Sequence, residues 1–350
     1  MAGPIDLQKL RNWKPPEGFQ TITTLDAHTG GEPLRIVIDG LPELPGNTIL
    51  QKRQYLKDHL DHYRTILMWE PRGHADMYGC IITPPEKHSS DFGVIFMHNE
   101  GYSTMCGHGI IAVTKVALET GLIEKQEPQT KISIDSPAGL ITSYADMIDG
   151  RIDRIYFHNV ASYVQAVDQK IEIDGLGIVT YDLAFGGAFY AYVDADQIGL
   201  KLDAGSFSEI IRTGMQIKRV VMNAIPLAHP FEEDLNFLYG TIFTSKHANP
   251  GSSYRNVCVF AEGEVDRSPT GTGVSGRVAI DVAKGKLQIG EPIIIESIVG
   301  SKFECKAISN TTFGPYQAIV PEVQGSAHIS GKHTFVVDPH DPLKNGFILR

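Results

Sequence analysis

The chain has 350 residues and a formal net charge of −10, with 42% hydrophobic and 21% charged residues. This composition is typical of a globular protein, and at about 150 residues per domain the length predicts two domains. The negative charge and the lack of a Lys/Arg cluster disfavour a nucleic-acid partner. The sequence has no run of about 18 apolar residues, so we predict no membrane span.

The chain begins with a predicted surface arm at residues 1–20, which has no apolar stretch typical of a signal peptide. In the first half, β-rich runs bounded by Gly, Pro, Asn or Asp predict strands at Thr21–Leu25, Leu34–Ile38, Ile66–Met68, Met77–Ile82, Val94–His98, Lys131–Ile134 and Arg154–Phe157. In the second half, similar runs predict strands at Ala188–Val193, Arg219–Asn223, Phe237–Phe243, Asn256–Phe260, Pro292–Ser297, Phe303–Ile308, Tyr316–Val320 and Ser326–Phe335. Apolar residues at helical spacing predict helices at Thr48–Tyr63, Gly109–Glu119, Phe207–Met215 and Gly273–Lys284.

The two halves follow a similar order of elements. Each has a Gly-Gly turn, at Gly30-Gly31 or Gly186-Gly187, followed by a strand, a helix and several more strands. Each then has a glycine-flanked segment that opens an apolar helix. This weak internal repeat predicts two similar α/β domains that each contribute one functional segment.

The first of these segments places Cys106 immediately before an apolar helix, within Cys106-Gly107-His108-Gly109. Free N–H groups and the positive end of a helix dipole favour a thiolate at such a position, and they also bind anions such as a carboxylate. A buried, inert cysteine beside a helix cap explains the pattern equally well. The four cysteines are far apart and form no C-x-x-C, so we expect free thiols in a cytoplasmic protein.

The second segment, Asp266-Arg267-Ser268-Pro269-Thr270, leads into another glycine-rich helix start. Gly271, Gly273 and Gly276 match the spacing of a dinucleotide-binding loop, but that loop directly follows a strand in a βαβ unit. Here the Asp266–Thr270 loop intervenes and the surrounding strands are predicted to be antiparallel, so we expect no nicotinamide cofactor.

Other polar residues are weaker candidates. His59 and His62 lie on one helix and are expected on a solvated face rather than at a metal, and His74 is expected to hold a loop. The remaining cysteines lie in apolar strands and are expected in the core; they are Cys80, Cys258 and Cys305. We therefore predict no metal site.

Five ordered blocks resemble the signature blocks of the proline racemase family, and they cover nearly the whole chain. They are His28–Arg35, Glu70–Gly79, Met105–Gly109, Ala184–Gly187 and Asp266–Gly273. The resemblance implies an α/β (α+β) fold of two pseudo-symmetric domains, each a curved, mostly antiparallel sheet around a central helix, with the active site between them. The implied domains are residues 21–157 plus 338–350, carrying Cys106, and residues 158–337, carrying Asp266 and Thr270. Family members commonly form homodimers, use no cofactor and act on a small molecule such as proline or hydroxyproline.

Racemases of this family hold two cysteines on opposite faces of the substrate, but this chain has Cys106 at one position and Thr270 at the other. A Thr hydroxyl has a pKa far above that of a thiol, so it is a poor proton donor to a carbanion. The Cys/Thr pattern is similar to that of the trans-3-hydroxy-L-proline dehydratase branch. In that reading Cys106 removes the α-proton and the 3-hydroxyl leaves.

The resemblance also implies the remaining roles at the site. The backbone N–H groups of Gly107, His108, Gly271 and Thr272 would hold the substrate carboxylate, and Asp266 would pair with the ring ammonium. The acid that protonates the leaving hydroxyl stays open between His108 and Thr270. Two alternatives remain: a proline racemase or hydroxyproline 2-epimerase with a substitute second base, and a non-catalytic amino-acid binder.

Overall fold

Strands dominate the computed structural model, which describes residues 5–349. Residues 1–4 of the predicted arm and Arg350 lie outside the described residues. The rest of the arm is mostly exposed and contains one short helix, α1 (Gln8–Arg11). Within the described residues, no helix combines the length and the apolar character needed to cross a bilayer.

The first half contains seven strands and three further helices. In chain order they are β1 (Gln20–Thr29), β2 (Glu32–Asp39), α2 (Ile49–His59), α3 (Asp61–Met68), β3 (Tyr78–Thr83), β4 (Phe92–His98), α4 (Gly107–Glu119), β5 (Gln129–Ser136), β6 (Gly139–Ile148) and β7 (Arg151–His158). The second half contains β8 (Ser162–Ile173), β9 (Gly177–Phe185), β10 (Phe189–Asp194), α5 (Phe207–Ala224), β11 (Leu238–Ser245), β12 (Tyr254–Phe260), β13 (Glu264–Val265), α6 (Gly271–Ala283), β14 (Ile293–Glu296), β15 (Lys302–Phe313), β16 (Tyr316–Gly325) and β17 (Ala327–Val337).

The same sequence of strand pairings occurs twice, which explains the internal repeat in the sequence. In the first repeat, β1–β2 is an antiparallel hairpin, α2 and α3 cross over to parallel β3, and α4 crosses over from β4 to parallel β5. In the second repeat, β9–β10 is the hairpin, α5 crosses over to parallel β11, and α6 crosses over from β12 to parallel β14. The other pairings are antiparallel, as expected for the predicted α+β class.

Two strands lie outside this repeated order: β8 follows the first repeat and β17 follows the second. Each pairs with the first strand of the other repeat. β8 pairs with β9, whereas β17, at the other end of the chain, pairs along its length with β1 of the first repeat. β16 pairs with both β7 and β8, so it joins the two repeats into one continuous sheet. The domain boundaries after residues 157 and 337 stay predictions.

The helices α4 and α6 are buried on nearly all sides because strands of the sheet surround each of them. α4 packs against β1, β2, β6, β7, β16 and β17, and α6 packs against β8, β9, β10, β15 and β16. Nearly every side chain of α4 is buried, from Gly107 to Leu118. The predictions of these two central helices are confirmed.

Both central helices begin at the junction of the repeats, and their first residues touch. A Cβ atom placed on Gly107 would lie 2.5 Å from the Cα atom of Gly271, and the reverse contact is equally short. Only glycine permits this approach. The two helix N-termini therefore point at a common space.

Two sequence predictions were wrong in type. The predicted strands Ile66–Met68 and Arg219–Asn223 lie inside α3 and α5. In α5, Ile210, Ile217 and Val221 lie on one buried face, which continues past the two charged residues at 218 and 219. This continuous buried face outweighs the β propensity of the valines at 220 and 221. The sequence reading also missed β6, β8 and β9.

We predict that Gly271→Ala lowers the stability of the protein, because the new methyl group would meet the backbone of Gly107 and not a flexible side chain. Overpacking of this kind typically costs about 1–3 kcal/mol. Gly101→Ala is the matched control, because a Cβ atom there meets nothing within 4 Å. Thermal unfolding followed by circular dichroism checks the difference, and equal melting temperatures for the two variants would contradict the close approach.

Candidate active site

Cys106 is the N-cap residue of α4 and carries its thiol into a cavity at the junction of the repeats. The thiol sulfur accepts a hydrogen bond from the Gly109 N–H at 3.3 Å and lies 3.1 Å from Nδ1 of His108. The Tyr78 hydroxyl lies close enough to this thiol to lower its pKa. The predicted position of Cys106 at a helix start is therefore confirmed, with three polar neighbours around its sulfur.

Thr270 precedes α6 and occupies the corresponding position at the second helix start. Its backbone has a positive φ of 69°, which is uncommon for a β-branched residue. Such strain persists where the surrounding structure enforces it. The Thr270 side chain lines the same cavity beside Cys258, and its hydroxyl is buried without a hydrogen-bond partner among the described residues.

Two buried carboxylates border the cavity, although the sequence reading selected only one. Asp266 accepts a hydrogen bond from the Ser268 N–H at 2.7 Å. Glu32, at the start of β2, accepts one from the Arg267 N–H at 2.8 Å and pairs with the Arg267 guanidinium at 3.0 Å. The second carboxylate oxygen of Glu32 is buried without a hydrogen-bond partner among the described residues. The site thus holds an acceptor suited to a buried cation.

Aromatic side chains form the remaining walls of the cavity. Tyr78, Tyr190, Tyr239 and Phe260 line it together with Met105; Tyr239 is partly buried and the other four are buried. The cavity is narrow, with about 20 Å³ accessible to the centre of a water-sized sphere. Because each helix start leaves its first N–H groups without partners in the helix, Gly107, His108, Gly271 and Thr272 offer donors to an anion.

The electrostatics of the site differ from the expectation of a stable thiolate at Cys106. Burial, with a contribution from Asp266, raises the pKa of the Cys106 thiol well above its ordinary value, although the Gly109 N–H and Tyr78 act in the opposite direction. Burial also lowers the pKa of His108 to about 4. At neutral pH the site therefore holds a thiol and a neutral imidazole.

The remaining predicted residues lie elsewhere. His59 and His62 are exposed, and no group of three or more His, Cys, Asp or Glu within residues 5–349 is arranged to hold a metal ion. His74 is exposed and contacts the Ala75 carbonyl, which fits its predicted loop role. Cys80 and Cys305 are core residues, whereas Cys258 is buried and also lines the cavity.

Close packing accounts for the dinucleotide-like glycine spacing at the start of α6. A Cβ atom on Gly273 would lie 2.4 Å from the Ile242 side chain, and one on Gly276 would lie 2.1 Å from the Tyr192 hydroxyl oxygen. The strands that flank α6 are parallel, β12 with β14, which corrects the antiparallel prediction for this neighbourhood.

Several lining residues escaped the sequence reading, namely Glu32, Tyr78, Tyr190, Tyr239 and Cys258. Glu32 and Tyr78 lie within two of the five blocks, His28–Arg35 and Glu70–Gly79. A polar residue without an assigned role inside such a block could have been recognised as a candidate. Tyr190, Tyr239 and Cys258 lie in or beside strands of alternating apolar residues, where sequence offers no such signal.

Comparison with known proteins matches this geometry to one family. The family profile described as proline racemase matches residues 24–348. A trans-3-hydroxy-L-proline dehydratase from Colwellia psychrerythraea is 47% identical over 98% of this chain and 97% of its own length. A protein of the same name from Bacillus cereus is 50% identical over 93% of this chain and 98% of its own length.

A solved structure has the same fold. The crystal structure of a hydroxyproline epimerase from Agrobacterium vitis with bound trans-4-hydroxy-L-proline superposes with a TM-score of 0.87 at 31% identity. The match covers 94% of this chain and 96% of that one. The expected two-domain α+β fold is therefore supported by a relative of known structure.

We predict that Asp266→Asn lowers the pKa of the Cys106 thiol, because it removes a negative charge that raises this pKa. The rate of Cys106 alkylation by iodoacetamide, followed by mass spectrometry across pH, should then rise at lower pH than in the unmodified protein. Glu119→Gln is the matched control, because it removes a carboxylate at the distant end of α4. Superimposable pH profiles for Asp266→Asn and the unmodified protein would contradict this electrostatic coupling.

Proposed function

The chain belongs to the proline racemase family, and we propose that it is a hydro-lyase of that family, which dehydrates trans-3-hydroxy-L-proline to a pyrroline-2-carboxylate without a cofactor. The observation that carries the proposal is the asymmetry of the two helix starts. One presents the Cys106 thiol to the cavity and the other presents the Thr270 hydroxyl. We further propose a cytoplasmic homodimer, in line with the family resemblance.

Substrate binding follows from the charges around the cavity. The substrate carboxylate would accept hydrogen bonds from the N-termini of α4 and α6, where the helix dipoles also favour an anion. The ring ammonium would lie between Asp266 and the unpartnered oxygen of Glu32. This cation would offset the negative charges that raise the pKa of Cys106, so binding would promote ionisation of the thiol.

Proton abstraction then uses the thiolate. Cys106 would remove the α-proton, and the N–H groups at both helix starts would stabilise the charge that develops on the carboxylate. Preorganised donors of this kind contribute roughly 2.7–4 kcal/mol each in a well-studied case. The Thr270 hydroxyl is too weak an acid to protonate the carbanion from the other face. The electron pair therefore forms a C2–C3 double bond and the 3-hydroxyl leaves.

A racemase or 2-epimerase remains the second candidate because of one observation. The Cys258 thiol lines the same cavity as Thr270, and burial raises the pKa of Cys258, so it carries a proton at neutral pH. A proton passed from Cys258 through Thr270 would supply the missing donor on that face.

The direct test incubates the purified protein with trans-3-hydroxy-L-proline, trans-4-hydroxy-L-proline and L-proline, with no cofactor added. A carbonyl reagent for cyclic imines should detect product from the first substrate alone, because only its hydroxyl is on the carbon next to the α-carbon. Cys106→Ser should lower the rate by roughly 10²–10⁴-fold, the usual contribution of a catalytic base. Cys305→Ser, in the core strand β15, is the matched control. Absence of product from trans-3-hydroxy-L-proline, or full activity in Cys106→Ser, would contradict the proposal.

We predict that Thr270→Cys gains epimerisation of hydroxyproline or racemisation of proline, because a thiol would supply an acid on the face opposite Cys106. Chiral chromatography of the recovered amino acid measures the gain. Thr114→Cys is the matched control, since it adds a thiol to a buried position of α4 that does not line the cavity. If Thr270→Cys and Thr114→Cys behave alike, Thr270 is not at the second base position.

A further inference from the structure

The stereochemistry of the proposed substrate places both leaving groups on one face of its ring. In trans-3-hydroxy-L-proline the hydroxyl is trans to the carboxylate, so it is cis to the α-hydrogen. Cys106 must face that hydrogen to remove it. The leaving hydroxyl therefore also faces the Cys106 side of the cavity, and the acid that protonates it must lie there.

Several polar side chains line the cavity besides Cys106, and Thr270, His108 and Tyr78 differ in their suitability as that acid. Thr270 lies at the opposite helix start, so it would face the other side of a ring bound between the two helix starts. Both ring nitrogens of His108 lie near the Cys106 sulfur, at 3.1 and 3.6 Å. Burial lowers the pKa of His108 to about 4, so its acidic imidazolium form is scarcely populated at neutral pH. The N–H of a neutral imidazole is a weaker acid than a phenol.

Tyr78 has the required position and a proton to give. Its side chain lines the cavity, and its hydroxyl lies close enough to the Cys106 thiol to lower the pKa of that thiol. The same hydroxyl is hydrogen-bonded to the Ser103 side chain, which is buried behind it. The ring is fixed by an edge contact with His108 at 4.9 Å and a stacked contact with His98 at 5.6 Å. Burial raises the pKa of Tyr78, so the phenol stays protonated at neutral pH.

We infer that Tyr78 is the general acid for the leaving 3-hydroxyl, acting on the same ring face as Cys106; this rests on the proposed function. The Cys106 thiolate takes the α-proton, and the C2–H electron pair becomes the C2–C3 double bond. The C3–O bond breaks as the oxygen takes the Tyr78 proton and leaves as water. The Cys106 thiol then returns its proton to the neighbouring Tyr78 phenolate, which restores both groups.

The test compares two leaving groups, because chloride departs without a proton and hydroxide does not. Tyr78→Phe should lower kcat/KM for trans-3-hydroxy-L-proline by roughly 10²–10⁴-fold, the usual range for acid catalysis. The same variant should retain elimination of chloride from trans-3-chloro-L-proline to within about tenfold, since Cys106 still removes the α-proton. Tyr190→Phe is the matched control. It removes a phenol that lines the same cavity and whose hydroxyl is hydrogen-bonded to Thr272. Any change in that variant should affect both substrates by a similar factor.

Equal losses on both substrates in Tyr78→Phe would overturn the inference, because Tyr78 would then shape the pocket or tune the thiol. Full dehydration activity in Tyr78→Phe would overturn it as well. Both outcomes leave the proposed function intact, provided that the unmodified protein dehydrates trans-3-hydroxy-L-proline. Failure of the unmodified protein on that substrate would instead reject the proposed function. cis-3-Hydroxy-L-proline gives an independent check, because its hydroxyl faces away from Tyr78 and should not be eliminated.

Discussion

The contact between two helix N-termini is the constraint on which the rest of the structure depends. Gly107 and Gly271 approach so closely that neither position has room for a side chain. The approach aims two sets of unpaired N–H groups and two positive dipole ends at one small space. The residue before each helix, Cys106 or Thr270, is thereby placed at the wall of the same cavity. The repeated β-sheet order serves to hold these two helices in position.

The same cavity combines groups that oppose one another until a ligand arrives. Asp266 and Glu32 are both buried beside the thiol, and burial together with the Asp266 charge raises the pKa of Glu32. The negative charges and the low dielectric raise the pKa of the Cys106 thiol and keep it protonated. The proposed substrate, a zwitterionic amino acid, would supply a cation for the carboxylates and an anion for the helix starts. In the proposed mechanism the substrate therefore activates the base.

Local sequence was sufficient for the helix starts but not for the complete cavity wall. The glycine-flanked segments at Cys106 and Thr270 are recognisable as helix starts because the signal is contained within a few residues. Glu32 contacts Arg267, which is 235 positions away in the chain, so no local pattern reveals that contact. The wrong strand at Ile66–Met68 has a different origin, because a short apolar run is equally typical of a strand and of a buried helix end.

The proposed mechanism depends on one asymmetry of the site: one face of the substrate meets a thiol that can donate a proton, and the other face does not. L-Proline in deuterium oxide tests this most directly, because it has an α-proton but no group to eliminate. Proton NMR measures exchange at the α-carbon, and chiral chromatography measures configuration. The proposed mechanism predicts that any deuterium incorporation by the unmodified protein occurs with retention of configuration at the α-carbon, leaving L-proline. Accumulation of D-proline would contradict it and would favour a racemase with a second base.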